Sequence, residues 1–258
     1  MMSRTIVPVP KIEEDGYDWY AKHEGILRKQ AENQFELVFI GDSISHNWSG
    51  DGPGLRDIGI ENWKKDIAKY KVLNLGFGYD RTQNMLWRLE HGELKGQNPK
   101  LIVTNIGTNQ FSVSPNYDGD TPETAAEGAI AVLKKIREYC PESQIVVMAV
   151  FPRGPARDFF DPRINGLNAI VKPFVEQQNN MDFLDISEKF LNEDGSQNLS
   201  LYADAGCHPN NAGYQVWADA LQPYFQKAGL TEESVTACQK NLKKTMGRSA
   251  KKQNDRIG

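Results

Sequence analysis

Four polar side chains in this 258-residue sequence are of the types that acyl transfer requires. They are a serine, an amide, an acid and a histidine, namely Ser43, Asn109, Asp204 and His208. A serine becomes a nucleophile when a base lies within hydrogen-bond reach, another group orients that base, and donors receive the oxyanion. Asp204 and His208 lie close in sequence, so little closure entropy opposes their pairing. We therefore predict Ser43 as nucleophile, His208 as base and Asp204 as the acid that orients it.

The oxyanion needs its own donors, and the sequence offers three. We predict the backbone N–H of Ser43, the backbone N–H of Gly76 and the side-chain amide of Asn109. Each position also has a purely structural interpretation. Asp42 or Ser43 fits a helix cap, Gly76 fits a simple turn, Asn109 fits an Asx-turn, and His208 fits an ordinary position before a helix. The single signals are weak, and their joint arrangement carries the prediction.

Metal and cofactor chemistry is not expected from the spacing of the residues that would support it. Cysteines at 140, 207 and 238 include no Cys-x-x-Cys pair, and histidines at 23, 46, 91 and 208 include no i, i+4 pair. The glycines after the second predicted strand do not complete a dinucleotide fingerprint, because Arg81 stands where the third glycine belongs. We predict no metal and no cofactor.

Alternating apolar and amphipathic segments predict the elements that position these residues. The predicted strands are Glu36–Ile40, Lys71–Leu75, Leu101–Asn105, Gln144–Val150 and Asp182–Leu184. The predicted helices are Tyr17–Glu32, Ile60–Lys69, Thr82–His91, Pro122–Tyr139, Pro162–Gln178 and Asn211–Lys227. The strands are apolar almost throughout, as expected when both faces are covered. Alternating strands and helices imply a parallel sheet, with ligands beyond its carboxyl edge, where the candidate residues follow their strands.

Length, charge and hydropathy limit the other functions. The net charge of −4 comes mostly from an acidic body, since residues 231–258 alone carry seven basic and three acidic side chains. An acidic body argues against nucleic acid as a partner. The longest apolar run, Ile145–Phe151, is seven residues long, whereas a membrane span needs about 20. We expect a soluble protein without a membrane span, either cytoplasmic or exported with a leader outside this sequence, and we leave a homodimer open.

The order of the motifs resembles the SGNH hydrolases, the GDSL-type esterase and lipase superfamily. The four family residues match Ser43, Gly76, Asn109 and His208, and the blocks around them are similar to the platelet-activating-factor acetylhydrolase-like branch. The resemblance spans residues 36–227. It implies a three-layer α/β/α sandwich with a five-stranded parallel sheet, a flavodoxin-like fold. We divide the chain into an N-terminal extension with an outer helix (1–34), the hydrolase domain (35–230) and a basic, flexible tail (231–258).

The resemblance also implies a serine esterase for short acyl groups, with O-acetyl groups on a carbohydrate as the expected substrate. One departure matters: the family acid stands three residues before the histidine, where this chain has Ala205, and Asp204 lies one residue further away. A one-residue insertion in a loop explains this departure, but so does a site without an effective acid. The alternatives left open are a phospholipid acetylhydrolase or thioesterase of the same fold, and a non-catalytic glycan-binding module.

Residues that could contact the substrate are predicted from their positions beside the strand ends. They are Asp42, His46, Trp48, Tyr79, Arg81, Phe111 and Arg153. Aromatic faces suit sugar rings, and the arginines suit a hydroxyl or a carboxylate. The competing interpretation of these side chains is internal packing.

Overall fold

The predicted parallel sheet is present, and its strand order places the candidate residues at one edge. The computed structural model describes residues 3–12, 16–49, 58–113 and 117–232. Its strands are β1 (Leu37–Gly41), β2 (Val72–Gly76), β3 (Leu101–Asn105), β4 (Gln144–Met148) and β5 (Met181–Leu184). All pairs are parallel, in the order β2-β1-β3-β4-β5. The chain changes direction across the sheet between β1 and β3, which is where ligands bind in such folds.

Helices cover both faces of the sheet, so the expected three-layer α/β/α sandwich is confirmed. The described helices are α1 (Trp19–Glu32), α2 (Ser43–Ser49), α3 (Ile60–Asn62), α4 (Thr82–Glu90), α5 (Pro122–Tyr139), α6 (Arg157–Glu176) and α7 (Asn211–Lys227). Successive residues of β1 point to opposite layers. Val38 and Ile40 pack with α1, α4, α5 and α6, whereas Leu37 and Phe39 pack with α2, α3 and α7.

Three helices differ from the prediction by more than two residues. Helix α6 begins at Arg157 rather than Pro162, because an internal proline removes only one hydrogen bond and the apolar stripe continues on both sides of it. Helix α3 continues as a π-helical turn over Trp63–Ile67 instead of running as one α-helix to Lys69. Helix α2 is not among the predicted helices, although Asp42 or Ser43 was interpreted as a possible helix cap.

The segments outside the sheet are partly described. Helix α1 lies on the outside of the sheet and buries Trp19 and Ile26 against it. Of the predicted basic tail, residues 233–258 lie outside the described residues. The Thr231 N–H donates to the Glu36 carboxylate, and Glu232 forms an ion pair with Lys69. Within the described ranges, no helix is long and apolar enough to cross a membrane.

Candidate active site

Ser43 is the first residue of α2 and lies just beyond the carboxyl end of β1. Gly41 ends the strand, pairing with Gly76 on one side and Asn105 on the other. A Cβ on Gly41 would lie 2.8 Å from the Asn105 carbonyl oxygen and 2.3 Å from Ser45 Oγ, so only glycine allows this tight strand-to-helix turn. The sharp turn leaves the Ser43 hydroxyl at the edge of the sheet.

The predicted nucleophile, base and acid meet, although 165 positions in the chain separate the first two. Ser43 Oγ lies 2.9 Å from His208 Nε2, and His208 Nδ1 lies 2.5 Å from Asp204 Oδ2. If Nδ1 donates to the carboxylate, Nε2 keeps its lone pair and accepts from the serine hydroxyl. The chain of hydrogen bonds therefore leads from the hydroxyl through the imidazole to the carboxylate.

The loop before His208 explains how an acid displaced by one residue still reaches the ring. Asp204 Oδ1 accepts hydrogen bonds from the backbone N–H groups of Gly206, Cys207 and His208, at 3.2, 2.7 and 3.1 Å. Gly206 has a φ of +101°, and a Cβ there would lie 2.4 Å from Gln197 Oε1. The left-handed glycine lets the extra residue curl around the carboxylate.

Asp204 is held in its charged form. Burial raises the pKa of its carboxyl, but hydrogen bonds from His208 and from the backbone N–H groups of Cys207 and His208 outweigh burial and leave the pKa below its usual value. The carboxylate therefore stays available to orient His208 and to stabilise an imidazolium.

Asn109 lies in the 3₁₀ turn Thr108–Phe111 after β3, and two arginines hold that turn. Its Nδ2 donates to the Asp80 carbonyl oxygen at 3.1 Å, which leaves the second amide hydrogen for a ligand. Arg81 Nε donates to the Asn109 carbonyl at 3.3 Å, and Arg153 Nη1 donates to that of Thr108 at 2.9 Å. The arginines predicted to grip the substrate thus brace the Asn109 turn.

The prediction of Gly76 as an oxyanion donor is wrong in this structure, because its N–H is already used. It donates to Asn74 Oδ1 at 2.8 Å. A Cβ on Gly76 would lie 2.4 Å from the backbone nitrogen of His46, so glycine is needed here for the close approach of α2 to β2. In the turn that follows, the Gly78 N–H donates to His46 Nδ1 at 3.3 Å. The next N–H, that of Tyr79, has no hydrogen-bond acceptor among the described residues.

His46 was predicted to contact the substrate, but its side chain is buried and supports this turn instead. Its side chain is almost fully inaccessible, and its ring packs edge-on against Tyr17 at a centroid distance of 5.0 Å. Burial, with the positive charges of Lys22 and Arg88, lowers the pKa of His46 to about 3. A neutral imidazole is required for Nδ1 to accept from Gly78.

Three further substrate predictions are corrected by burial. Trp48 is 0% exposed, stacks on Trp217 and donates to Asn62 Oδ1, because α2 turns its indole into the core. Phe111 is also 0% exposed and belongs to the other core layer. Asp42 is buried beside Ser43, and its Oδ1 accepts the Ile44 N–H at 2.9 Å as a local cap. Among the aromatic side chains predicted to contact the substrate, Tyr79 alone lies at the surface, where 59% of the residue is exposed.

Asn74 is the residue that sequence reasoning missed. Its Nδ2 donates to the Ser45 carbonyl at 2.7 Å and its Oδ1 accepts from Gly76, so it ties β2 to α2. A buried asparagine inside an otherwise apolar strand was the available signal, since buried polar groups are found where they have partners.

The strand order, the serine at the turn from β1 to α2 and the facing histidine loop define a flavodoxin-like α/β/α sandwich with a serine and a histidine at the carboxyl edge of its sheet. The chain belongs to the GDSL-like Lipase/Acylhydrolase family, whose sequence model matches residues 39–216. It is 30% identical to the platelet-activating factor acetylhydrolase IB subunit alpha1 of Bos taurus over 189 residues, 73% of this chain and 74% of the relative.

Two solved structures have a similar fold. A GDSL-like lipase from Bacteroides thetaiotaomicron superposes with a TM-score of 0.60 at 18% identity, covering 81% of this chain and 99% of the other. A variant of an acetyl-xylooligosaccharide esterase from Geobacillus gives a TM-score of 0.55 at 18% identity, covering 78% and 96%. At these identities the likeness describes the fold alone.

Proposed function

We propose that this protein is a serine esterase that hydrolyses acetyl esters, with O-acetyl groups on a carbohydrate as its substrate. The observation that carries the proposal is the hydrogen-bonded series from Ser43 Oγ through His208 to Asp204, at 2.9 and 2.5 Å. Within a family of lipases and acylhydrolases, this geometry supports acyl transfer through an ester of Ser43.

The proposed reaction has two steps. His208 Nε2 takes the proton of Ser43 as Oγ attacks the acetyl carbonyl, and the same proton then passes to the departing alcohol oxygen, leaving acetyl-Ser43. Water, deprotonated by His208, attacks this ester and releases acetate, and the proton returns to Ser43. In each step the carbonyl oxygen carries a transient negative charge.

Three donors receive that charge in the proposed geometry. They are the N–H of Ser43, the second amide hydrogen of Asn109 and, in place of Gly76, the N–H of Tyr79. Asn109 Nδ2 is bonded to the carbonyl of Asp80, the residue after Tyr79, so the amide lies against the turn that presents the Tyr79 N–H. Donors fixed before the reaction stabilise the transition state without reorganising.

An acetyl group as the transferred acyl is supported by the names of the relatives. Both a platelet-activating factor acetylhydrolase and an acetyl-xylooligosaccharide esterase are named for acetyl esters, although their alcohols differ. The exposed ring of Tyr79 offers a sugar one aromatic face beside the donors. The phospholipid acetate is the second candidate, because the relative at 30% identity carries that name.

The non-catalytic alternative loses its main argument. It depended on the extra residue between Asp204 and His208, but the carboxylate reaches Nδ1 at 2.5 Å despite that residue. The thioesterase alternative gains no support from any contact of the described residues.

The test measures released acetate from three substrates: acetylated xylo-oligosaccharides, an acetylated ether phospholipid and an acetyl thioester. A serine-directed phosphonate should label wild type at Ser43, and Ser43→Ala should neither label nor release acetate. The highest kcat/KM on the oligosaccharide supports the proposal, whereas a preference for the phospholipid replaces it with the second candidate. A folded wild-type protein that neither labels nor releases acetate contradicts the esterase itself.

A further inference from the structure

The turn that contains the Tyr79 N–H is hydrogen-bonded to three residues of the N-terminal segment, namely Lys11, Tyr17 and Trp19. Tyr17 Oη donates to the Gly78 carbonyl oxygen at 3.2 Å, and Lys11 Nζ donates to the Tyr79 carbonyl oxygen at 3.2 Å. In α1, the Trp19 indole N–H donates to the Asp80 carboxylate at 2.7 Å. Three consecutive residues of the turn are therefore each held by a different residue of the N-terminal segment.

The Lys11 and Tyr17 side chains that make two of these contacts are themselves buried. Lys11 is 6% exposed and Tyr17 is 9% exposed. A lysine ammonium is rarely buried to this degree unless oxygen atoms compensate for the water that it loses. The Lys11 ammonium also lies 5.5 Å from the centroid of the Tyr79 ring, so it contacts both the backbone and the side chain of that residue.

The turn needs external restraint because its backbone is unfavourable. Tyr79 has a φ of +60°, a left-handed conformation that a residue other than glycine adopts only at an energetic cost. Left to itself, the turn would move its peptide groups toward more common angles, and the direction of the Tyr79 N–H would change with them.

The hydrogen bond from Tyr17 acts on the same peptide group that carries this donor. The Gly78 carbonyl and the Tyr79 N–H are the two ends of one planar amide. A donor at the carbonyl fixes the plane of the amide and polarises it, which makes the N–H at its other end a stronger donor. The bond from Lys11 restrains the next amide, that between Tyr79 and Asp80.

We propose that Tyr17 and Lys11 are positioning residues of the oxyanion hole, aligning and polarising the peptide group whose N–H receives the transition-state charge. This inference rests on the proposed function. Both residues precede the region that matches the family model, which begins at residue 39. The N-terminal segment is thus part of the catalytic apparatus rather than an appendage to it.

The test uses the full chain with Tyr17→Phe, Lys11→Met and the double substitution, assayed on a chromogenic acetate ester. Each single variant should lower kcat about 10-fold with KM unchanged, and the double variant should approach the roughly 10²–10³-fold loss of one whole oxyanion donor. The rate of phosphonate labelling of Ser43 should fall in parallel, because the phosphoryl oxygen occupies the same hole. Lys11→Arg, which keeps a cationic donor, should restore part of kcat.

Matched controls separate positioning from general destabilisation. Lys100 Nζ donates to the Gly229 carbonyl at 2.8 Å, the same type of bond as that of Lys11, but at the amino end of β3. Lys100→Met should leave kcat unchanged, and so should Tyr139→Phe at the end of α5. All values of kcat are expressed per phosphonate-reactive site, so that an inactive fraction does not count as a catalytic defect.

The outcomes distinguish this inference from the proposed function. If wild type is active and Ser43→Ala is inactive, but Tyr17→Phe and Lys11→Met keep their kcat, the positioning role is wrong and the esterase stands. If the two variants lose kcat only as much as the controls do, the role is structural and the inference fails. An inactive wild type overturns the esterase and this inference together.

Discussion

At the scale of single residues, the proposed nucleophile, oxyanion donor and base meet because each lies at the end of an element on the same edge of the sheet. Ser43 and Asn109 follow strands and His208 precedes a helix, and these positions can be predicted from the sequence. The error at Gly76 came from a side chain, since only a three-dimensional contact shows that Asn74 Oδ1 takes its N–H. Whether Trp48 faces inward depends on α2, a helix that was not predicted.

The role of Asp204 is testable because its two oxygens do different work. In Asp204→Asn, Oδ1 can keep its three backbone N–H bonds, but Nδ2 would face His208 Nδ1 and favour the tautomer that cannot accept the Ser43 proton. We expect kcat on a chromogenic acetate to fall about 10³–10⁴-fold, with little change in Tm. Asp204→Ala should lose kcat and also lower Tm, because the three N–H groups lose their acceptor. Equal activity of Asp204→Asn and wild type would exclude the carboxylate from the mechanism.

Asp42 should make the fold less stable as pH rises. Burial, only partly offset by the Ile44 N–H and the charge of Arg153, raises the pKa of Asp42 from 3.8 to about 7. Its Oδ2 has no hydrogen-bond partner among the described residues. A raised carboxyl pKa gives stability that is complete below the unfolded value and is lost as pH rises through the folded value.

The variant Asp42→Asn removes this titration. Relative to wild type, its free energy of unfolding should improve by on the order of 3 kcal/mol between pH 4 and pH 8, measured by urea denaturation. The amide of the variant side chain would also lack a hydrogen-bond partner, but this cost is the same at both pH values and therefore does not affect the difference between them. Asp194 is the matched control: its Oδ1 accepts the Ser196 N–H in the same geometry, but its pKa is lowered by Ser196, so Asp194→Asn should shift in the opposite direction. Parallel curves for wild type and Asp42→Asn would refute the assignment.

At the scale of elements, the strands were predicted within one or two residues because a buried apolar run admits few interpretations. Helix α6 was placed too late because Pro162 was taken as its first residue. Helix α2 was not predicted because its polar sequence has no stripe of apolar residues. It is held instead by its close contact with the glycines that end β1 and β2. Gly41 and Gly76 both lie where a Cβ would strike the first turn of α2.

Gly76→Ala should therefore displace α2 and with it Ser43. The added carbon would lie 2.6 Å from the Ser45 carbonyl carbon, and backbone atoms cannot move aside as a side-chain end can. We expect a loss of about 2 kcal/mol or more in stability together with a fall in kcat. Gly25→Ala is the control, since among the described residues a Cβ there meets only a guanidinium nitrogen, at 3.9 Å. This substitution should stabilise α1 by up to about 1 kcal/mol. An unchanged kcat in Gly76→Ala would show that α2 is not fixed by this contact.

At the scale of the whole molecule, a buried cluster of charged and polar side chains joins α1 to the turn that contains Tyr79 and Asp80. Arg88 of α4 is 1% exposed and bonds to Glu93 and, at 2.8 Å, to Asp80. Glu93 in turn bonds to His23 of α1 at 2.8 Å. Burial, outweighing Arg88 and Trp19, raises the pKa of Asp80 to about 6. Asp80, whose carbonyl oxygen accepts from Asn109, is thus linked to α1 through Arg88, Glu93 and His23.

Removing the cation from this cluster tests the connection. Arg88→Met would leave Asp80 and Glu93 buried without their counter-charge, which typically costs about 3–5 kcal/mol of folding free energy. Because protonation relieves a buried carboxylate, and the pKa of Asp80 is already about 6 beside Arg88, the loss should be larger at pH 8 than at pH 5. Denaturation with urea at both pH values measures the difference.

The exposed pair of Arg28 and Glu24, at 3.5 Å, supplies the control for the same substitution. Arg28→Met should change stability by less than about 1 kcal/mol at either pH, since both side chains stay in water. If Arg88→Met costs no more than Arg28→Met, the cluster does not hold α1 to the turn. If it costs several kcal/mol with a pH dependence of the expected sign, the N-terminal helix and the active-site edge form one cooperative unit, and destabilising either one loosens the other.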